Sequence, residues 1–376
     1  MRMAIFTAVA LVSIMQAELR AQDPQSIADR AVAQLKNEQY ETAIESFRQV
    51  LEVTPNDPGA NFDLGICYYR LKRFERAVPA LRNAIANKPD FADAYVYLGN
   101  SLDYLGHYDE AVSAYNTASN LAPANGDTFY EIGVAHSRHK NDGAAIAAFQ
   151  KSLALEPSNS DAAYSLGIIY LRNNRKDDAM TLFDKAIKNG HRLGDAHYQL
   201  GKLYNARKRY ADAIPLLSEA VRLRPDHFGS RFQLGVAYNG VKKYAEAIDE
   251  FREAVIIDPA DSDARLNLGN SFFVLGKFAE AIPNYKKAVE LSPRSILAHN
   301  YLGDAYRNAR LFDDALAAYN ATLLMDAKNT AAVYGIGLVY VDQVKLDLAR
   351  KQRAQLDVLN REAADALQKK IDAKGK

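Results

Sequence analysis

The sequence predicts an all-α protein, a solenoid of antiparallel helix pairs, and three residue columns predict it. In a 34-residue frame starting at Pro24, position 8 is Gly in nine of ten frames: Gly65, Gly99, Gly133, Gly167, Gly201, Gly235, Gly269, Gly303 and Gly337. Position 20 is Ala in all ten, from Ala43 to Ala349, and position 32 is Pro in seven: Pro55, Pro89, Pro123, Pro157, Pro225, Pro259 and Pro293. The frames start at Pro24, Pro58, Ala92, Gly126, Ser160, Gly194, Phe228, Ser262, Ile296 and Thr330 and run to Ala363 without insertion or deletion. A period of this length marks a supersecondary unit that buries its apolar face against its neighbours.

The first element stands outside the repeat. Arg2 precedes AIFTAVALVSIM, residues 4–15, an apolar run shorter than the roughly 20 residues a membrane helix needs. It has the pattern of a secretory signal, with cleavage expected after Ala21 or, second, after Ala17; an uncleaved anchor or an ordinary first helix is the alternative. Residues 1–21 are thus expected to be a signal peptide, 22–363 the solenoid, and 364–376 a capping helix and tail. The mature chain is expected to start near Gln22, to be secreted or periplasmic, and to contain no membrane span. Its oligomeric state is left open.

Within a frame, apolar residues recur at helical spacing in both halves, as Tyr95, Leu98 and Leu102 and then Ala111, Tyr115 and Ala118 do. Gly inside a helix costs up to about 1 kcal/mol against Ala, so nine of them imply a close backbone approach. Position 8 is expected to face Ala at position 20, with larger residues at positions 4, 7, 11, 17 and 24 around the crossing. Pro at position 32 ends the second helix, and Asp90, Asn125 and Asn159 are the expected N-caps of the helices that follow. Frames four and five carry Asp142 and Lys176 where most others have an aromatic at position 17. Frame five ends in KNGHRLG, with Gly190 placed for a left-handed C-cap, so the junction at 186–198 is expected to be the easiest to flex.

Period 34 with Leu-Gly, Tyr, Ala, Phe or Tyr, Ala and Pro in register resembles the tetratricopeptide repeat over residues 24–363. The position-4 Trp of that family is replaced, by Tyr95, Phe129, His197 or Arg231 among others. The resemblance implies a right-handed superhelix whose first helices line a concave groove through positions 2, 5, 9, 12 and 13. On that basis the expected peptide-binding groove comprises Phe62, Ile66, Tyr69, Val96, Asn100, Tyr130, Tyr164, Ile168, Tyr198, Lys202 and Phe232, whose apolar and aromatic members form a floor. Late in the chain, Asn267, Asn270, Asn300 and Asp304, with Arg307 and Asn308, add polar groups able to pair with a ligand's backbone. The Lys and Arg clamp with which the family grips a C-terminal carboxylate has no counterpart here.

Other chemistries find little support. Net charge is +1, which argues against nucleic-acid binding. Cys67 is the single cysteine, so the chain has neither an internal disulfide nor a cysteine-based metal site. His136 and His139, and His191 and His197, lack the carboxylate pattern of a metal centre. No phosphate-cradling loop or nucleophile–His–acid arrangement stands out, so no catalytic residue, metal or cofactor is expected. Basic residues between paired helices, Lys72 and Arg73, Arg175 and Lys176, Lys208 and Arg209, Lys242 and Lys243, suit the negative ends of first helices. The expected function is an exported scaffold binding a peptide segment or partner helix; an oligomeric structural component of the cell envelope is the alternative.

Overall fold

A computed structural model describes residues 24–190 and 193–375. The predicted signal segment, its cleavage sites and the centre of the 186–198 junction, including His191, lie outside the described residues. All regular structure among the described residues is helical. In nine of the ten frames the first helix occupies positions 1–13, from Pro24–Lys36 to Thr330–Asp342; in repeat six it is Leu193–Ala206. Second helices take positions 17–30, from Tyr40–Val53 to Leu346–Leu359. The chain divides into two compact units, residues 1–191 and 192–376. In each unit the two helices of a repeat pack together, and the second packs against the first helix of the next repeat, as the right-handed α-solenoid class requires.

The glycine column works differently from the expectation. All ten position-20 alanines are fully buried, but the residue over each glycine is the large one at position 24. A Cβ on Gly133 would come within 2.6 Å of the Phe149 ring, one on Gly99 within 2.6 Å of Tyr115, and one on Gly201 within 2.6 Å of Leu217. The glycine is a seat for a bulky side chain, since a ring cannot lie on a helix surface that carries a methyl group. Repeat ten has Arg353 at position 24, and there Leu367 from a further helix, Arg361–Lys374, sits over Gly337. That helix also buries Ala364 and Ile371, so it closes the core with an apolar face.

Turns between paired helices share one geometry. Position 15 has φ > 0 in every repeat, as Gly in repeats three and eight (Gly106 and Gly276) and as other residues elsewhere, Lys72, Lys208 and Lys242 among them. In repeat two, Lys72 N donates to Tyr69 O (2.9 Å) and Arg73 N to Tyr68 O (2.8 Å), which satisfies carbonyls at the helix end. The basic residues expected at first-helix C-termini are thus only partly there. Lys72, Lys208 and Lys242 follow first helices, but Arg73, Arg175, Arg209 and Lys243 are N-caps of second helices and Lys176 opens one. Arg175 and Arg209 pair with Asp178 and Asp212, both at 2.7 Å. Val344 holds the same conformation despite its branched Cβ. Asn125 and Asn159 cap as expected, accepting from Thr128 N (3.1 Å) and Ala162 N (2.8 Å). Asp90 does not: the cap of that helix is Phe91, without a side-chain bond, because the helix begins one residue later than an Asp90 cap requires. Gly190 is the left-handed C-cap of Lys176–Asn189, with φ 94°.

These two kinds of glycine environment separate in a simple test. Gly133→Ala is expected to destabilise the protein by about 1–3 kcal/mol through overpacking against Phe149, despite the better helix propensity of Ala. Gly143, in the exposed first turn of Asp142–Leu155, has nothing within 4 Å of a built Cβ. Gly143→Ala is expected to stabilise by up to about 1 kcal/mol, and urea denaturation of the two variants against the parent reads both signs.

Candidate functional site: a cavity on the first helices of unit 1

The first helices of repeats two to four, Pro58–Arg70, Ala92–Tyr104 and Gly126–Arg138, wall an open cavity of about 760 Å³, joined by the start of Ser160–Arg172. Six expected groove residues meet there: Phe62, Ile66, Tyr69, Val96, Asn100 and Tyr130. Rings give the wall its shape. Phe62 lies 4.5 Å from Phe91 and 5.7 Å from Tyr97, and Tyr69 lies 5.3 Å from Tyr97 in an edge-on contact. Such edge-to-face pairs fix ring orientation as well as burying area. Sequence reasoning missed the polar lining: Arg70, Asp93, Asp127, Glu131 and Asp161. The recurrence of Asp at position 2, a position the resemblance placed in the groove, was the available signal for three of them.

Glu131 is the least ordinary of these. Its Oε2 accepts a bond from Asn100 Nδ2 at 3.2 Å, while Asn100 Oδ1 accepts the Tyr115 hydroxyl at 2.6 Å. Burial pushes the Glu131 carboxyl above its usual range and Asp127 adds to this, against the Asn100 bond and the Arg70 charge. Asp63, one turn from the cavity residue Ile66, is likewise pushed up to about 6 by burial and by Asp57.

Tyr164 and Ile168 belong to the same unit but not to the cavity wall; Tyr164 packs against Phe183, with ring centroids 5.7 Å apart. In unit 2, Tyr198 stands edge-on to His227 at 4.8 Å, with Lys202 Nζ 5.8 Å from its ring centroid. Phe232 lies between Phe228 (5.8 Å) and Phe251 (5.7 Å).

The polar residues expected to meet a ligand's backbone are engaged inside the protein. Asn267 stands at position 6, outside the groove positions, and its amide donates to Asp263 O in its own helix at 2.8 Å. Asn300 is buried, and its amide donates to Asn329 Oδ1 at 3.2 Å. Asn270 Oδ1 accepts the Tyr285 hydroxyl at 2.7 Å, and Asp304 Oδ1 that of Tyr319 at 2.6 Å. Arg307 pairs with Asp342 at 2.9 Å, and Asn308 donates to Asp304 O at 2.8 Å.

A rule explains two of these, Asn270 and Asp304, together with Asn100 of the cavity. Where position 24 is Tyr, position 9 of the same repeat is Asn or Asp: Tyr115 with Asn100, Tyr285 with Asn270, Tyr319 with Asp304. Where position 24 is Phe, position 9 is Val or Ile: Phe47 with Val32, Phe149 with Val134, Phe183 with Ile168, Phe251 with Val236. A buried hydroxyl demands an acceptor, and position 9 supplies it across the helix pair. The histidines have local partners too. His139 Nε2 lies 2.5 Å from Asp103 Oδ1, a carboxylate that Arg138 also pairs with, and His136 Nδ1 lies 2.6 Å from the Tyr108 hydroxyl. Among the described residues no group of three or more His, Cys, Asp or Glu is placed to hold a metal, and no helix is long and apolar enough to cross a membrane.

Tyr285→Phe alone leaves Asn270 Oδ1 without its donor and is expected to cost about 1 kcal/mol. Adding Asn270→Val reproduces the Phe251 and Val236 arrangement, and most of that loss should return in equilibrium denaturation of the double variant.

Tetratricopeptide repeat matches cover residues 28–90, 62–125, 98–155, 130–191, 198–263 and 301–356, and a TPR repeat match covers 269–308. No curated protein matches. Among solved structures, the chain is similar to YrrB, described as a TPR protein with an unusual peptide-binding site, at 26% identity. That match covers 49% of this chain and 95% of YrrB, with a TM-score of 0.47. It is also similar to a MamA structure labelled AMB-1, at 26% identity over 45% of this chain and 92% of that one, TM-score 0.41. A MamA fragment from Desulfovibrio magneticus RS-1 matches at 23% identity over 45% and 96%, TM-score 0.41.

Proposed function

Because the chain belongs to the tetratricopeptide repeat family, a protein-interaction fold, we propose that it is a scaffold that holds a peptide segment of a partner protein in the cavity of unit 1. The observation that carries this is the convergence of Phe62, Ile66, Tyr69, Val96 and Tyr130 on one open cavity. At about 760 Å³ the cavity has the size of a ligand site, and its lining joins a cluster of aromatic and aliphatic side chains to a polar and charged rim. Rigid aromatic side chains anchor a segment at little cost in entropy, and such anchors dominate binding energy. The reading assigns the chain no catalytic role.

Selection from a random peptide library on the purified protein tests this. Peptides that bind the parent should bind an Ile66→Ala, Tyr130→Ala double variant about tenfold to a hundredfold more weakly while its circular dichroism stays helical. Equal affinity for the folded variant would move the working surface elsewhere.

We further propose that residues 1–21 direct export and are removed, a reading supported by Arg2 and the short apolar run 4–15. Mass analysis of the protein from its native cells should find a first residue near Gln22; a chain that keeps Met1 in the cytoplasm would refute export.

A further inference from the structure

We propose that the segment taken by the unit 1 cavity carries a basic side chain among apolar ones, and that Glu131 receives its cation; this rests on the cavity's being a peptide site. Four carboxylates, Asp93, Asp127, Glu131 and Asp161, line the cavity against the single guanidinium of Arg70. The lining is therefore acidic in a chain whose net charge is +1, a local excess that the whole-chain balance hides.

The placement of Glu131 narrows the inference from an acidic rim to one acceptor. It lies on Gly126–Arg138, in the cavity wall, and its carboxylate has no ion-pair partner among the described residues. The neighbouring cation Arg138 is committed to Asp103. Asn100 cannot do more than it does: with Oδ1 held by the Tyr115 hydroxyl, its amide nitrogen is turned to Glu131 and offers one neutral donor. A half-buried carboxylate met by one neutral hydrogen bond, with the Arg70 charge acting on it without an ion pair, is electrostatically incomplete, and burial pushes its titration up.

Beside it stand the rings of Phe62, Tyr69, Tyr97 and Tyr130. Tyr69 and Tyr97 meet at 84° and Phe62 and Tyr97 at 75°, so the wall offers ring surfaces in more than one direction. Aromatic faces attract cations, and a guanidinium can stack on a ring while its fork donates to a carboxylate. A basic side chain flanked by apolar ones satisfies both walls at once. An acidic segment, or a chain end presented as a carboxylate, would meet four like charges.

The test uses the full-length folded protein and three short amidated peptides identical in their leucines, with arginine, glutamine or glutamate at the alternating positions. Fluorescence anisotropy at moderate salt should show the arginine peptide binding about tenfold or more tighter than its glutamine twin, with the glutamate twin weakest. Glu131→Gln should remove most of the arginine preference and leave the glutamine peptide's affinity unchanged, with the melting temperature as the check on folding. If the glutamine peptide binds the parent as tightly as the arginine one, the cation inference fails and the peptide site stands. If the arginine preference persists in a folded Glu131→Gln protein, the rim aspartates are the acceptors and the assignment to Glu131 fails. If no peptide of the three binds the parent, both the inference and the peptide-site reading fall. The comparison among peptides needs no variant, so a poorly folding Glu131→Gln protein would not shelter the proposal.

Discussion

A bulky side chain seated on a glycine of the facing helix is the contact on which every repeat depends. It lets two helix backbones approach while a Phe, Tyr or Leu at position 24 stays fully enclosed, as Phe149, Tyr115 and Leu217 are. Because glycine weakens a helix on its own, the first helices owe their stability to packing more than to propensity. The C-terminal helix shows that the seat matters more than the source of its occupant: Leu367 fills the place that Arg353 cannot. With pair geometry held constant, positions 5, 9 and 12 of successive first helices fall on one surface, and in repeats two to four that surface encloses the cavity.

The same seat reaches the candidate site through one residue. Tyr115 occupies Gly99 and hands its hydroxyl to Asn100, and Asn100 thereby points its amide at Glu131. Core packing thus fixes the orientation of a cavity side chain whose own rotamers would otherwise be free. In the Phe-type repeats an aliphatic residue holds position 9. The choice between two nearly isosteric rings in the core therefore goes with the polarity of position 9.

Much of this was legible in the sequence, and the misses have specific physical causes. Frame starts read from Gly, Ala and Pro coincide with the starts of all but one first helix, because an uninterrupted period leaves little freedom of register. The partner of the glycine was misassigned to position 20 because small-faces-small is the simplest way to bring helices together, whereas the protein sets large on small. Asn270 and Asp304 read as ligand-facing because position alone says which way a residue points and nothing about what already occupies its hydrogen bonds. The information was there, since Tyr at position 24 and Asn or Asp at position 9 occur together. Glu131 left no such trace. Its environment depends on the Asn100 orientation and on partial burial in the cavity wall, neither of which a repeat column records.

The coupling of positions 9 and 24 also bears on how such an array can change over generations. A repeat that alters its ring or its acceptor alone passes through a state with an orphaned hydroxyl or amide, so single steps between the two kinds lower stability. Copying a whole repeat avoids that barrier, because both partners travel together within fifteen residues of chain, the separation of Tyr285 from Asn270. Duplication and recombination between repeats thus become the easier route for redistributing wet and dry stretches along the inner face. Each Tyr-type or Phe-type repeat is in that sense a self-contained packing unit.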